Sequence, residues 1–246
     1  MFSENKIKSL TGLTDVLVLA ETDSTNTFLK RVATQKNEGA LVIAEKQTSG
    51  RGRLGRTFVS EKNGLYMSLF LKPEFSDVTL ITTMAAVAVA QAVDEFTGRK
   101  SKIKWVNDIY LDDLKVCGIL TEGVFEGNKL VGAILGIGVN LFKPYNGMDE
   151  SIKNIAGYLF EEDNGLANEF LCAIINKFLK IYNGMDYIGE YRKRSYLEGK
   201  NVSFIKDREY FGTVIGIDDD FGLKINCDGK IITLKCGEVS VKTSKS

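Results

Sequence analysis

Two long apolar runs, "KVCGILTEGVFE" (Lys115–Glu126) and "KLVGAILGIGVNL" (Lys129–Leu141), are separated only by Gly127–Asn128. The pair reads as a β-hairpin, because such a turn accepts the left-handed backbone angles that match strand twist. A sheet is therefore expected at the centre of the fold. Upstream, "DVLVLA" (Asp15–Ala20), "ALVIAE" (Ala40–Glu45), "GLYMSLFLKP" (Gly64–Pro73) and "SKIKW" (Ser101–Trp105) supply further strands. Helices are expected in "STNTFLKRVA", capped by Ser24, from about Asp77 to Phe96 with Gly98 ending it, and from Ser151 to about Arg194. After "YLEGK" the texture changes to short strands between Asp/Gly turns: "NVSFIK", "REYFGTVIGI", "GLKINC", "KIITLK" and "GEVSVK". They suggest a small β-barrel of about fifty residues. The boundary is expected near Leu197–Lys200, giving domains 1–197 and 198–246.

Composition limits the chemistry. Acidic and basic residues balance at 32 each, so no overall field favours nucleic acid, and any anion site must be local. The N-terminus lacks the apolar core of a signal peptide, and "MAAVAVAQAV" looks too short and interrupted to cross a bilayer, which leaves a cytoplasmic location and no membrane as the expectation. Four scattered cysteines (Cys117, Cys172, Cys227 and Cys236) read as reduced structural thiols. There is no histidine, which excludes Ser-His-Asp or Cys-His nucleophile pairs and histidine-ligated metals. Catalysis must then rest on Lys, Arg, Asp, Glu, amide or backbone groups.

The segment "TSGRGRLGRTF" (Thr48–Phe58) spells G-x-G-x-x-G with Gly50, Gly52 and Gly55, and carries Arg51, Arg53 and Arg56. In a dinucleotide-binding fold such a motif opens a helix. Here "RTFVSEKNGLYMSLFL" follows, with turn residues and then strand periodicity, so a dehydrogenase reading is weak. The bland alternative is a solvated loop that its arginines keep soluble. Glycine spacing lets the backbone fold tightly while guanidinium forks converge on phosphate or carboxylate oxygens. A second cluster lies in "KIKWVNDIYLDDLKVCGILTEG", with Asn107–Asp108, a tight Asp112–Asp113 turn, Lys115 and Gly118. Taken singly, Asn107–Asp108 reads as a turn, Lys115 as a strand-end cation and Asn140 as a strand-end cap.

Together "ETDSTN", "AEKQTSGRGRLGR", "GLYMSLFL", "KWVNDIYL", "KVCGILTEG" and "GIGVNL" resemble the biotin protein ligases, in family order and spacing and over essentially the whole chain. The resemblance implies an α+β fold: a class II synthetase-like mixed sheet flanked by helices, then an SH3-like β-barrel. It implies two steps, in which biotin and ATP give biotinyl-5′-AMP, and a lysine of a biotin carboxyl carrier protein domain then takes the acyl group. By motif matching, Lys115 would bridge the biotin carboxylate and the α-phosphate, while Arg51, Arg53 and Arg56 serve the phosphates and hold the adenylate. Ser24, Thr25, Asn26 and Gln47 match positions at biotin's polar edge. Gly50, Gly52 and Gly118 would let backbone close over the ligand. Asn140 matches an adenine contact, and Phe58 replaces an aromatic that packs on adenine. Asp108 and Asn107 would order the reaction centre with Mg2+, whose ligands the sequence leaves unknown. Lys104 would add a phosphate contact.

Two departures stand out. The family's usual K-W-P-N-D proline is Val106, which would loosen that turn without removing a functional group. Few residues precede the first strand, so the resemblance implies a ligase without a winged helix domain and without operator binding. The alternatives are a lipoate or octanoate ligase or transferase, and a non-catalytic biotin-sensing module. Exposed strand edges would allow a homodimer, and a monomer is equally compatible.

Overall fold

The computed structural model of the chain describes residues 2–75, 77–145, 147, 150, 152–235 and 237–241. In chain order the elements are α1 (Glu4–Thr11), β1 (Val16–Leu19), α2 (Thr25–Val32), β2 (Leu41–Ala44), β3 (Gly64–Leu71), α3 (Thr79–Thr97), β4 (Lys102–Lys104), β5 (Asp108–Leu111), β6 (Leu114–Glu126) and β7 (Lys129–Asn140). There follow α4 (Ala167–Tyr182), α5 (Ile188–Lys193), β8 (Asn201–Ile205), β9 (Glu209–Ile217), β10 (Leu223–Cys227), β11 (Lys230–Leu234) and β12 (Ser240–Val241).

The expected hairpin is the spine. Glu126 pairs with Lys129 across Gly127–Asn128, with Gly127 at a φ of 59°. The seven-stranded sheet runs β1-β2-β3-β7-β6-β5-β4, parallel only between β1 and β2. Each face is covered by helix. On one side α3, rich in alanine and valine, is buried along most of its length and ends at Gly98 in the left-handed conformation that glycine favours. On the other, Leu29 and Ala33 around α2 pack on Val42, Phe70, Val124 and Ile134.

Four details differ from the sequence expectations. The four-residue strand β5 was not anticipated; Asp112 and Asp113, both at positive φ, turn it back into β6. Residues 152–166 are not helical, because their backbone groups bond elsewhere. Lys115 N donates to Ile155 O at 2.9 Å, Gly157 N to Lys115 O at 2.8 Å and Leu159 N to Asn140 O at 3.1 Å. Ser24 stands at the N-cap of α2 without making a side-chain capping bond. Finally, α3 is long and apolar enough by length and composition to cross a membrane, contrary to the expectation for that segment, but it is mostly buried among protein atoms.

The second sheet is antiparallel, ordered β11-β10-β9-β8-β12. The described pairings leave β11 and β12 as ends, so they do not close the expected barrel into a ring. Cys117 and Cys172 are buried free thiols and Cys227 is a half-buried one, as expected; Cys236 lies outside the described residues.

The two sheets meet through paired polar and aromatic contacts. Trp105 Nε1 donates to Phe221 O at 2.8 Å, and Tyr110 stacks on Tyr196 with centroids 4.5 Å apart. Arg194, just after α5, binds Asp94 Oδ2 at 3.0 Å, while Asp94 Oδ1 accepts from Ser101 N at 2.7 Å and Ser101 Oγ at 2.8 Å. Burial alone would raise the Asp94 carboxyl, but the Ser101 amide and hydroxyl and the Arg194 guanidinium hold it below its ordinary 3.8. A depressed carboxyl stabilises the fold above the unfolded-state value, and that contribution disappears as pH falls through the folded value. Asp94→Asn should therefore cost roughly 1.5–3 kcal/mol near neutrality. The gap to the parent in urea unfolding should shrink as the pH is lowered below 3.8.

Candidate functional site

Side chains alternate along β-strands, so paired positions on neighbouring strands form rows on one face. On the α2 side, Phe70 pairs with Ile134 beneath that helix. One row along, Ser68 pairs with Gly136, and Gly136 with Leu120. The next row runs Tyr66, Gly138, Gly118 and Asp108 across four strands. With three glycines in these rows, the face is hollow beyond the N-terminus of α2. A cavity of about 230 Å³ lies there.

Two irregular segments help wall it. The loop after Gln47 is an ordered ribbon: Gln47 N donates to Ser60 O at 3.0 Å, Phe58 N to Gly50 O at 2.9 Å and Gly52 N to Arg56 O at 2.8 Å. Its tip is a short turn at Arg53–Gly55 with Leu54 at a φ of 52°. The second segment, residues 152–157, contributes Ile152, Ile155 and Ala156 to the lining.

The structure brings most of the expected residues to this one cavity. Ser24, Thr25, Asn26, Gln47, Arg51, Gly52, Arg53, Arg56, Phe58, Asn107, Asp108, Lys115, Gly118 and Asn140 all line it. Gly50 does not. A Cβ there would come within 2.3 Å of Phe58 O, so its role is to let the two arms of the ribbon touch. Lys104 is also outside the lining; its ammonium lies 5.8 Å over the Tyr110 ring. Burial holds that ammonium below its usual range, the Asp108 carboxylate opposes this, and the Lys115 cation adds to it.

Each cationic group has a partner. Lys115 Nζ is 2.8 Å from Asp108 Oδ1, and that buried oxygen has no well-aligned hydrogen-bond donor, so the pair is ionic with an unused lone pair. Arg53 donates to Asn107 Oδ1 and to Gly237 O, each at 3.1 Å. Arg51 lies 3.2 Å from Glu122, and Arg56 pairs with Glu238. Asn107 Nδ2 donates to Ile119 O at 2.9 Å and Asn140 Nδ2 to Gly157 O at 2.9 Å, which fixes both amides. At the α2 end, Gln47 Oε1 accepts from Thr25 N at 2.8 Å. The Phe58 ring lies over the glycine row, edge-on to Tyr66 at 6.3 Å.

Sequence reading missed several residues in the wall and behind it. Ile152 and Ile155 lay in a stretch taken as helix. Glu122 and Ser68 were legible: they continue the two-residue alternation of Gly118–Leu120 and Gly64–Tyr66 on the same face. No local pattern points to Glu238, which reaches the loop from the second sheet.

A half-enclosed hollow with a polar end, a bare glycine floor and four cations defines a site for an anionic, partly apolar ligand. The chain belongs to the Biotin/lipoate A/B protein ligase family, which it matches over residues 18–140. It is 43% identical over 122 residues to the bifunctional ligase/repressor BirA of Bacillus subtilis, an alignment covering 48% of this chain and 38% of that protein. It is 36% identical over 128 residues to a biotin–[acetyl-CoA-carboxylase] ligase of Paracoccus denitrificans, covering 50% of this chain and 53% of that one. Its fold is similar to the Aquifex aeolicus biotin protein ligase in complex with biotin and ATP. There the TM-score is 0.81 with 27% identity, over 94% of this chain and 100% of that one.

The glycine floor can be tested without a ligand. A Cβ on Gly138 would come within 2.7 Å of Phe58 Cε1. Gly138→Ala should cost about 1–3 kcal/mol through overpacking. In a Phe58→Ala background the same change should cost much less, a non-additivity that denaturant unfolding of the four proteins measures.

Proposed function

We propose that this chain is an ATP-dependent ligase that activates biotin as biotinyl-5′-AMP and transfers it to a lysine of a carrier protein. The carrying observation is the convergence of Lys115, Arg51, Arg53 and Arg56 on one hollow whose far end is lined by Thr25, Asn26 and Gln47. The likeness to a ligase holding biotin and ATP supports the same reading.

In the first step a carboxylate oxygen of biotin attacks the α-phosphorus, the bond to the β-phosphate oxygen breaks, and pyrophosphate leaves. Both reactants are anions, so the barrier contains their repulsion and the charge growing on the phosphoryl oxygens. Fixed cations lower both, with no proton shuttle required. Lys115 is assigned the position between carboxylate and α-phosphate, and the loop arginines the phosphate oxygens. The adenylate is a mixed anhydride that water would hydrolyse, so the ribbon also serves to exclude water. In the second step a neutral lysine amine attacks the acyl carbon and AMP leaves.

Phe58 and Asn140 are assigned to adenine, and Ser24, Thr25, Asn26 and Gln47 to biotin's polar ring. Lys104, whose ammonium lies 5.8 Å over the Tyr110 ring, is assigned a supporting phosphate contact. Magnesium fits as a companion of the nucleotide. Among the described residues no three His, Cys, Asp or Glu side chains gather to hold a metal. The Lys115 ammonium, 2.8 Å from Asp108 Oδ1, already neutralises the carboxylate at the reaction centre, so the ion would be held chiefly by the phosphates. That ion would neutralise phosphate charge. The assigned partner is the carrier domain of a biotin-dependent carboxylase, in keeping with the name of the Paracoccus relative. Domains 1–197 and 198–246 remain the division of choice, supported by the separate strand order of the second sheet.

Pyrophosphate exchange into ATP should require biotin and proceed with neither lipoate nor octanoate; exchange with lipoate alone would overturn the reading. Lys115→Ala should lower that exchange by a factor of about 10²–10³ with an unchanged circular dichroism spectrum. Arg53→Gly removes the bonds to Asn107 and Gly237 and should speed adenylate release, read as increased biotinylation of bystander proteins.

A further inference from the structure

Behind the cavity wall an unbroken polar chain joins the biotin end of the site to the arginine ribbon. Its centre is Glu122, whose side chain is only 17% exposed. Glu122 Oε1 lies 3.2 Å from Arg51 Nη1, and Oε2 accepts from Asn26 Nδ2 at 2.9 Å. Asn26 Oδ1 in turn accepts from Ser68 Oγ at 2.6 Å, and Ser68 Oγ lies 2.8 Å from Thr25 Oγ1. Thr25 meets Gln47, and Gln47 Nε2 donates to Ser60 Oγ at 2.9 Å, which donates to Phe58 O at 2.9 Å.

Proton counting gives this chain a direction. A carboxylate only accepts, so Asn26 must turn its amino group to Glu122 and its carbonyl to Ser68. Ser68 has one proton, and the shorter contact, to Asn26, claims it. Thr25 Oγ1 keeps its own proton for either Ser68 Oγ at 2.8 Å or Gln47 Oε1 at 3.2 Å, so Glu122 sets the direction of the chain as far as Ser68. Gly136 makes room for this link: a Cβ there would fall 2.2 Å from Asn26 Oδ1, so the amide rests on bare backbone. Glu122 is not among the residues lining the cavity.

We propose that Glu122 is a positioning residue, which fixes the polarity of the Asn26–Ser68 pair behind the wall and tethers Arg51 of the ribbon to it. The proposal rests on the biotin ligase reading and adds to it a single group through which the acid-binding wall and the phosphate-binding loop are joined. Glutamine at this position keeps the shape but loses the charge. It also carries a donor, which leaves Leu120 O, 3.3 Å from Asn26 Nδ2, as the weaker remaining hold on the Asn26 amide.

The test is pyrophosphate exchange by the full chain, with KM measured separately for biotin and ATP. Glu122→Gln should raise the KM for biotin about tenfold or more, from the loss of charge-assisted bonds, and raise that for ATP by a clearly smaller factor through the loosened Arg51. Ser68→Ala, which cuts the chain one link further on, should show the same split and serves as the readout if Glu122→Gln does not fold. Combining Glu122→Gln with Arg51→Ala should slow exchange by less than the product of the single effects. A purely structural role would instead lower the melting temperature and move both constants together. That result, an unchanged KM for biotin, or multiplicative effects with Arg51→Ala would overturn the proposal while leaving a biotin-dependent parent intact. A parent that exchanges with lipoate instead of biotin would overturn the functional reading and this assignment with it.

Discussion

Room on a sheet face exists only where side chains step aside, and the site depends on that constraint. Strands β3, β7 and β6 are fully packed beneath α2, where Phe70, Ile134 and Val124 meet Leu29. One and two rows further the same strands carry Gly136, Gly138 and Gly118, and the floor drops to the backbone. The hollow is thus continuous with the core, and its polar end is the first turn of the helix that the core holds. Nothing in the loops could create that depth; they only roof it.

Four cations around one small space repel each other, and each needs a partner. The structure balances them individually: Lys115 by Asp108, Arg51 by Glu122, Arg56 by Glu238, and Arg53 by the carbonyl oxygens of Asn107 and Gly237. The Arg51 and Arg56 side chains remain half or more exposed, so their pairs are weak in water and exchangeable. A phosphate or carboxylate bound here would substitute for partners of the same charge. The arginines are gathered on an ordered ribbon, held by the Gln47–Ser60, Gly50–Phe58 and Gly52–Arg56 backbone bonds.

Much of this was legible in the sequence. The Gly127–Asn128 hairpin, the strand after the glycine-arginine segment and the end of α3 at Gly98 follow from local turn chemistry and periodicity. The lining residues were legible through motif spacing, which reports positions on a shared face. What failed was what depends on distant partners. Residues 152–166 have helical texture, but their backbone groups are claimed by Lys115 and Asn140. Gly50 lies outside the lining, where its closeness to Phe58 is internal to the ribbon, and Lys104 lies over the Tyr110 ring. Glu238 acts from another sheet, and no window of sequence joins it to Arg56.

The glycine floor also makes the site's sequence drift one-sided. Every substitution at Gly118, Gly136 or Gly138 adds atoms, and none can remove them, so mutation there can only make the hollow shallower. At Gly138 the added carbon meets the Phe58 ring, and at Gly136 it meets the Asn26 amide. A broader ligand range must therefore come from the roof and walls, from positions such as Phe58, Ile152 and Ile155, while the floor sets a fixed upper limit on depth.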